Sequence, residues 1–437
     1  MYCGYITTIK NIRKHSNADR LQCTEVFGQN VIVDLSYYEG QRVVFFPSDG
    51  QLSEEFANDN NLVKKKDEDG NNIGGYMDPD KRNITAIKLR GEKSEGLILP
   101  VEVLAKYTDI STLKDGDQIS TINGREICKK YIPRRQHSQR TSSSGKGNVN
   151  KKELKEVVSY PFFVEHIDTQ QLAYNQNAFK PGDTCYITLK MHGTSARTAN
   201  AIEVTKAKRN PILKKLFKLK DKELKQFKYV SGTRRTTLRD YDGGWYGSNA
   251  FRQKYHDFFK ERLPKGMEVF YEIVGYTQGS QTIMGKCSNK LVKDKEFSRQ
   301  YGDETVFSYG CPVGENDIYV YRMTMTNEDG HVVELPWEQV QLECEKMGVK
   351  CVPTFDKFIF TTWEDLMERV EKYYDGVDPI GKTHVREGVV VRIDNKSKFT
   401  AYKHKNFHFR VLEGIIKDTS DAPDMEEVEE LIMEETK

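Results

Sequence analysis

No stretch of this sequence is apolar enough over the ~20 residues that a bilayer-spanning helix needs, so no membrane association is expected. Paired metal-type cysteines are also missing. The eight cysteines (Cys3, Cys23, Cys128, Cys185, Cys287, Cys311, Cys344 and Cys351) are scattered with no CxxC, which excludes zinc-finger spacing. Reduced thiols of a cytosolic protein are the expectation, not a disulfide framework. The start, Met1-Tyr2-Cys3-Gly4, has neither the charged segment nor the apolar run of a secretory leader. A cytoplasmic location is therefore expected, or the host cytoplasm for a viral protein. An excess of one charge is lacking too. The net charge is only +2, so any nucleic-acid binding must come from local basic patches. There is no internal repeat.

What is present is a chain of 437 residues with 30% charged residues, long enough for two domains with real cores. The first region is rich in strand signals: Tyr5–Ile9, Gln22–Val26, Asn30–Leu35 and Arg42–Phe46, with a turn at Glu39-Gly40. A polar stretch over Lys64–Arg82 reads as a loop, and strand signals resume at Ile84–Leu89 and Gly96–Leu99. Such closely spaced strands suggest a small barrel. Residues 134–156 hold little that packs and read as a linker. Residues 157–417 read as one mixed domain. Its strand signals fall at Cys185–Leu189, Met267–Val274, Ile318–Met325, Gly388–Ile393 and Phe399–Lys403, and helical spacing runs over Trp363–Tyr374. An acidic tail, 418–437, has room for a short helix over Met425–Glu435.

The chemistry concentrates in a few short runs. Lys190-Met191-His192-Gly193-Thr194-Ser195 follows the strand-like Tyr186–Leu189. Alternation sets Thr188 and Lys190 on the face opposite Ile187 and Leu189, and Gly193 lets backbone come close to a ligand. By itself this carries little weight, because Lys88–Gly91 and Lys93–Gly96 share the KxxG spacing. Glu272 lies inside the apolar run Phe270–Val274, where a carboxylate is costly unless a cation meets it. Glu387 leads a second buried run, Gly388–Val391. Lys403 and Lys405 stand two apart, so a strand points both the same way. That pairing is unfavourable unless an anion such as a triphosphate lies between them. Each feature alone fits an ordinary strand end or solvated charge; the ordered set is less easily accidental.

That ordered set resembles motifs I, III, IIIa, IV and V of the covalent nucleotidyltransferase superfamily of RNA ligases, DNA ligases and capping enzymes. The resemblance implies Lys190 as nucleophile, Glu272 and Glu387 as the carboxylates of motifs III and IV, and Lys403 and Lys405 as the motif V lysines. It also implies Tyr321, in Asp317–Arg322, as the aromatic that stacks on adenine. Arg234, or alternatively Arg235, is the candidate basic residue of motif Ia. Upstream, Asn17–Leu21, Val44–Asp49 and Ser94–Leu97 resemble the N-terminal OB module of an ATP-dependent RNA ligase branch. Lys190–Thr194 also resembles that branch, with His192 in place of the more usual aspartate. Three positions depart from the pattern. Arg322 stands where many relatives carry an acid, Leu189 where a polar residue is common, and Leu172 where an arginine often follows Asp168–Gln171.

The fold implied is α+β: an OB-like barrel over 1–133, then an adenylyltransferase domain over 157–417 built on antiparallel sheets with flanking helices. The activity implied is ATP-dependent joining of RNA 3′-OH and 5′-phosphate ends through lysyl-AMP and an adenylylated RNA end. His192, Gly193, Arg234, Glu272, Tyr321, Glu387, Lys403 and Lys405 would bind the nucleotide. Glu272 and Glu387 would hold Mg²⁺ or Mn²⁺. A lysine amine is mostly protonated at neutral pH, and neighbouring cations favour its neutral, attacking form; Lys403, Lys405 and the metal are the expected source. The partner is RNA, with no obligate protein partner evident. The basic stretch Lys206–Lys228 is either a solvated helical insertion or a track for the RNA backbone. A capping guanylyltransferase or DNA ligase is the alternative within the superfamily, but those usually carry an OB domain after motif V. A non-catalytic OB-fold RNA-binding protein is the alternative of another class.

Overall fold

In a computed structural model of the chain, the described residues are 2–70, 72–133, 156–207, 222–238, 240–242, 246, 248–277, 279–394 and 396–419. The acidic tail beyond 419, residues 134–155 of the expected linker and residues 208–221 of the basic stretch lie outside them. The chain divides into two compact units.

The first unit comprises the described residues up to 133 together with 406–419. Gly96–Pro100, Arg42–Pro47, Gly4–Thr8 and Gln118–Ile119 make a four-stranded antiparallel sheet in that order. Two three-stranded sheets accompany it, one over Ile12–Lys14, Leu21–Val26 and Gln29–Asp34, the other joining Cys128–Lys130, Gly50–Leu52 and Asn83–Ile84. Alternation aims Ile6, Val44, Phe46 and Leu99 into one core, which Phe56 and Leu104 complete. Phe56 belongs to the short helix Glu54–Asp59, whose first turn is capped by the Ser53 hydroxyl accepting from the Phe56 N–H. Within the polar stretch expected to be a loop, Lys65–Lys66 and Asn72–Gly74 pair as a small hairpin. The helix Phe407–Thr419, which the sequence reading ran into the second domain, groups with this unit instead. Its Arg410 pairs with Glu95 at 3.0 Å, and its Lys417 pairs with Asp49.

The second unit is built on two sheets. In the larger, the order is Glu156–Ser159, Thr194–Ala207, Met267–Gly275, Asn316–Thr326 and Val332–Glu334; Lys222–Gly232 adds to the second strand and Lys350–Cys351 to the fourth. In the smaller, it is Gln170–Gln171, Thr400–Lys405, Gly388–Ile393, Thr184–Leu189 and Thr354–Ile359. All pairings are antiparallel except Gln170–Gln171 on Thr400–Lys405 and Lys350–Cys351 on Asn316–Thr326. The helix Trp363–Tyr373 starts at a Thr362 cap and seats Leu366 and Val370 against Ile187, Val389 and Val391 of the smaller sheet.

A further expectation needs correcting. The described end of the basic stretch is not a helical insertion but the strand Lys222–Gly232, paired over its whole length with Thr194–Ala207. Its Lys, Glu, Leu and Gln residues favour helix in isolation; the long ladder overrides that preference.

Candidate active site

The smaller sheet hands the chain to the larger one through residues 190–193, between Thr184–Leu189 and Thr194–Ala207. The crossover has no ladder of its own, and its polar backbone must find partners elsewhere. The Lys190 N–H donates to the Gly388 carbonyl at 3.0 Å. The His192 N–H donates to the Tyr309 hydroxyl at 2.7 Å. Gly193 lies so close to the Met267–Gly275 strand that a Cβ would fall 2.5 Å from the Ile273 carbonyl oxygen. Arg252, on the helix Ala250–Phe259, fixes the next residues by donating to the Ser195 carbonyl at 3.1 Å and the Thr194 hydroxyl at 2.6 Å.

Lys190 projects from this crossover into a solvent-open cleft. The smaller sheet contributes Thr188, Leu189, Val390, Arg392 and Lys403 to its walls; Glu272 and Tyr321 come from the larger. The remaining lining includes His166, Arg234, Trp337 and Phe399. The Lys190 ammonium is 2.8 Å from the Glu387 carboxylate, which is 2% exposed. Lys405 approaches the same oxygen of Glu387 at 3.5 Å. The other oxygen, Oε2, is buried without a hydrogen bond, with His192 Nδ1 3.8 Å away. Two ammonium groups thus share one carboxylate, a local excess of positive charge suited to phosphate.

Glycine is required where Glu387 meets its neighbour. Gly388 has φ of 143° and pairs with Lys405, and a Cβ on it would fall 2.1 Å from the His404 carbonyl oxygen. Glu272 accepts from the Ser195 hydroxyl at 2.7 Å. The Tyr321 hydroxyl hydrogen-bonds His166 Nδ1 at 3.0 Å, holding the ring on the cleft wall. Arg234 and Arg235 both pair with Asp168, Arg235 at 2.8 Å. Burial works to raise the Asp168 pKa, but the two guanidinium groups outweigh it and hold the carboxyl below its usual range.

The sequence-selected residues therefore converge. Lys190, Arg234, Glu272, Tyr321 and Lys403 line the cleft, while His192, Gly193, Glu387 and Lys405 stand behind its wall, with Lys190, His192 and Lys405 each approaching Glu387. Arg322 is turned away: it is 1% exposed, pairs with Glu334, and covers the Phe270 ring at 4.3 Å. Its place opposite the Glu334 carboxylate accounts for a base at this position. Leu172, likewise off the usual pattern, is core packing. Sequence reasoning missed His166, Arg252, Tyr309 and Trp337. Only Trp337, one of three tryptophans, carried any compositional signal.

The family model for RNA ligases, "RNA ligase", matches residues 183–411. The chain belongs to the RNA ligase family. Solved structures of a Naegleria gruberi RNA ligase share the fold of this RNA ligase. A mutant with AMP and manganese has a TM-score of 0.56 at 17% identity, covering 96% of this chain and 100% of that one. Another mutant, with ATP and manganese, also scores 0.56 at 17% identity, covering 96% and 99%. The form with pyrophosphate scores 0.55 at 16% identity over 96% and 99%. A search of curated proteins finds no match. Among the described residues, no helix of this RNA ligase is long and apolar enough to cross a membrane.

Proposed function

We propose that this RNA ligase is ATP-dependent and joins RNA 3′-OH and 5′-phosphate ends through AMP carried on Lys190. The observation that carries the reading is the Lys190 amine at the cleft wall, 2.8 Å from a buried Glu387 that also faces Lys405. Supporting it, solved relatives of the same fold hold ATP, AMP and pyrophosphate in forms that their names describe.

The residues divide the work as follows. ATP would enter this cleft with its base against Tyr321 and its α-phosphate at Lys190. Its arrival separates the Lys190–Glu387 pair, and Lys190, its ammonium proton lost to solvent, attacks as the neutral amine. The N–P bond forms as the bond to pyrophosphate breaks, and a second amine proton leaves to solvent. Lys403 and Lys405 neutralise the charge that develops on the departing phosphates. AMP then passes to the RNA 5′-phosphate, and a 3′-hydroxyl displaces it to form the phosphodiester.

The carboxylates suit a divalent cation. Glu387 keeps a buried oxygen with no donor, which suits an ion held by one or two carboxylates plus substrate phosphate and water. Glu272 and Glu387 would hold Mg²⁺ or Mn²⁺, which when bound supplies charge neutralisation and polarisation of phosphoryl oxygens. We further propose that the N-terminal unit is an OB-like RNA-binding module, and that the protein works in the cytoplasm.

The test compares nicked duplexes whose broken strand is RNA or DNA, each with 3′-OH and 5′-phosphate ends, with ATP or GTP. Sealing of the RNA-ended nick with ATP is expected. Preference for GTP, with transfer of GMP to an RNA 5′-diphosphate, would favour capping chemistry. RNA binding without any nucleotide transfer would favour a binding protein.

A further inference from the structure

A buried amide without a partner costs about 1–3 kcal/mol, and the crossover that carries Lys190 spends one side chain on avoiding it. The His192 N–H is met not by backbone but by the hydroxyl of Tyr309, 117 residues further along the chain. Tyr309 is 4% exposed. Its φ of 51° is in the left-handed region, where an aromatic residue persists only if its surroundings impose it. Those surroundings are unusually close: a Cβ on Gly381 would fall 2.3 Å from the Gly310 nitrogen and 2.4 Å from the Tyr309 carbonyl carbon.

The rings around it extend the contact to both halves of the site. Tyr309 meets His384 edge-on at 4.5 Å. His384 meets Phe307 at 5.0 Å, and Phe307 meets the His192 ring at 4.5 Å. His384 is tied to its own segment by a hydrogen bond between Nδ1 and the Val385 carbonyl, 2.9 Å, two residues before Glu387. One aromatic box therefore touches the lysine-bearing crossover on one side and the approach to Glu387 on the other. None of its members lines the cleft.

We propose that Tyr309 is a positioning residue for adenylyl transfer. With Phe307 and His384 it clamps the Lys190 crossover against the Glu387 segment, and so fixes the line along which the amine reaches the α-phosphate. The proposal rests on Lys190 being the nucleophile. A displacement of about 1 Å at a reacting atom can cost about 100-fold in rate, so a clamp of this kind acts on the rate at saturating ATP and not on ATP affinity. It also acts on the step in which Lys190 attacks and not on the final step, in which a 3′-hydroxyl displaces AMP from RNA.

Tyr309→Phe keeps the ring and removes only the acceptor. On full-length protein, single-turnover labelling of Lys190 with ATP is compared with sealing of a nick that already carries a 5′-adenylylated RNA end. The expected result is a drop of tenfold or more in labelling rate at saturating ATP, ATP affinity within about twofold, and sealing of the pre-adenylylated nick within about threefold of wild type. Phe307→Leu, which removes the ring edge from His192 and keeps apolar volume, is expected to show the same split and serves if Tyr309→Phe does not fold. Unchanged labelling, or equal losses in labelling, affinity and sealing, would overturn the proposal and leave Tyr309 as ordinary packing. A wild-type protein that takes up no AMP would instead overturn the nucleophile assignment on which it rests.

Discussion

Gly388→Ala is a one-carbon test of how the site is assembled. Gly388 follows the Glu387 carboxylate and pairs directly with Lys405, so the added carbon enters the seam between the two residues that face Lys190. Two terms add. The backbone at φ 143° is one that L side chains rarely adopt, at a cost of about 1–3 kcal/mol. The Cβ would also sit 2.1 Å from the His404 carbonyl oxygen and 2.8 Å from the Lys405 Cα, both backbone atoms that cannot swing aside, which costs about 1–3 kcal/mol more as overpacking. The sum, about 2–6 kcal/mol, corresponds to a fall in melting temperature of about 4–24 °C at the 2–4 °C per kcal/mol of a large domain. If the strands part instead, the strain is relieved by moving Glu387 and Lys405 away from Lys190. The assay is thermal unfolding together with AMP labelling at a temperature where the variant is folded. We expect a lower melting temperature and labelling reduced about 100-fold or more. A variant with wild-type melting and wild-type labelling would refute the argument that this close approach sets the geometry of the site.

Further outcomes follow from pairs away from the cleft. Arg322→Met strands the nearly buried Glu334 carboxylate and is expected to lower stability by about 3–5 kcal/mol; adding Glu334→Leu should recover much of it, as denaturant unfolding would show, and a single variant as stable as wild type would contradict the pairing. In the first unit, hydrogen bonds from Arg13, at 2.7 and 2.9 Å, and from Ser16 pull Glu92 down to about 2. The folded value is the lower one, so this stabilisation is complete above the ordinary carboxylate range, ~4.3, and is lost as pH falls towards about 2. Glu92→Gln should therefore be less stable than wild type at pH 6 and indistinguishable from it near pH 2. A gap in denaturation midpoint that does not change with pH would count against the linkage.

Much of the site was readable because each motif is local. Lys190 precedes a glycine that has no room for a side chain, Glu272 interrupts the apolar run Phe270–Val274, Glu387 immediately precedes the run Gly388–Val391, and Lys403 and Lys405 show the two-residue period of a strand. The central strands were readable for the same reason: Met267–Gly275 and Gly388–Ile393 are dense in β-branched and aromatic residues. What escaped depends on distant partners. Thr194–Ala207 is poor in large apolar residues and becomes a long strand because Met267–Gly275 and Lys222–Gly232 flank it. Tyr309 and Arg252 reach the crossover across more than fifty residues of sequence. The helix Phe407–Thr419 has a clear apolar face, yet partners distant in sequence, among them Glu95 for Arg410 and Asp49 for Lys417, decide which unit it joins.

The central claim is that Lys190 carries the adenylate, and intact mass of the full-length protein after incubation with ATP and Mg²⁺ tests it most directly, with Lys190→Ala alongside. The account predicts one AMP on the wild-type protein, mapping to Lys190 and none on the variant. An adduct of the same stoichiometry on folded Lys190→Ala, or none on folded wild-type protein shown not to be adenylated beforehand, would contradict it.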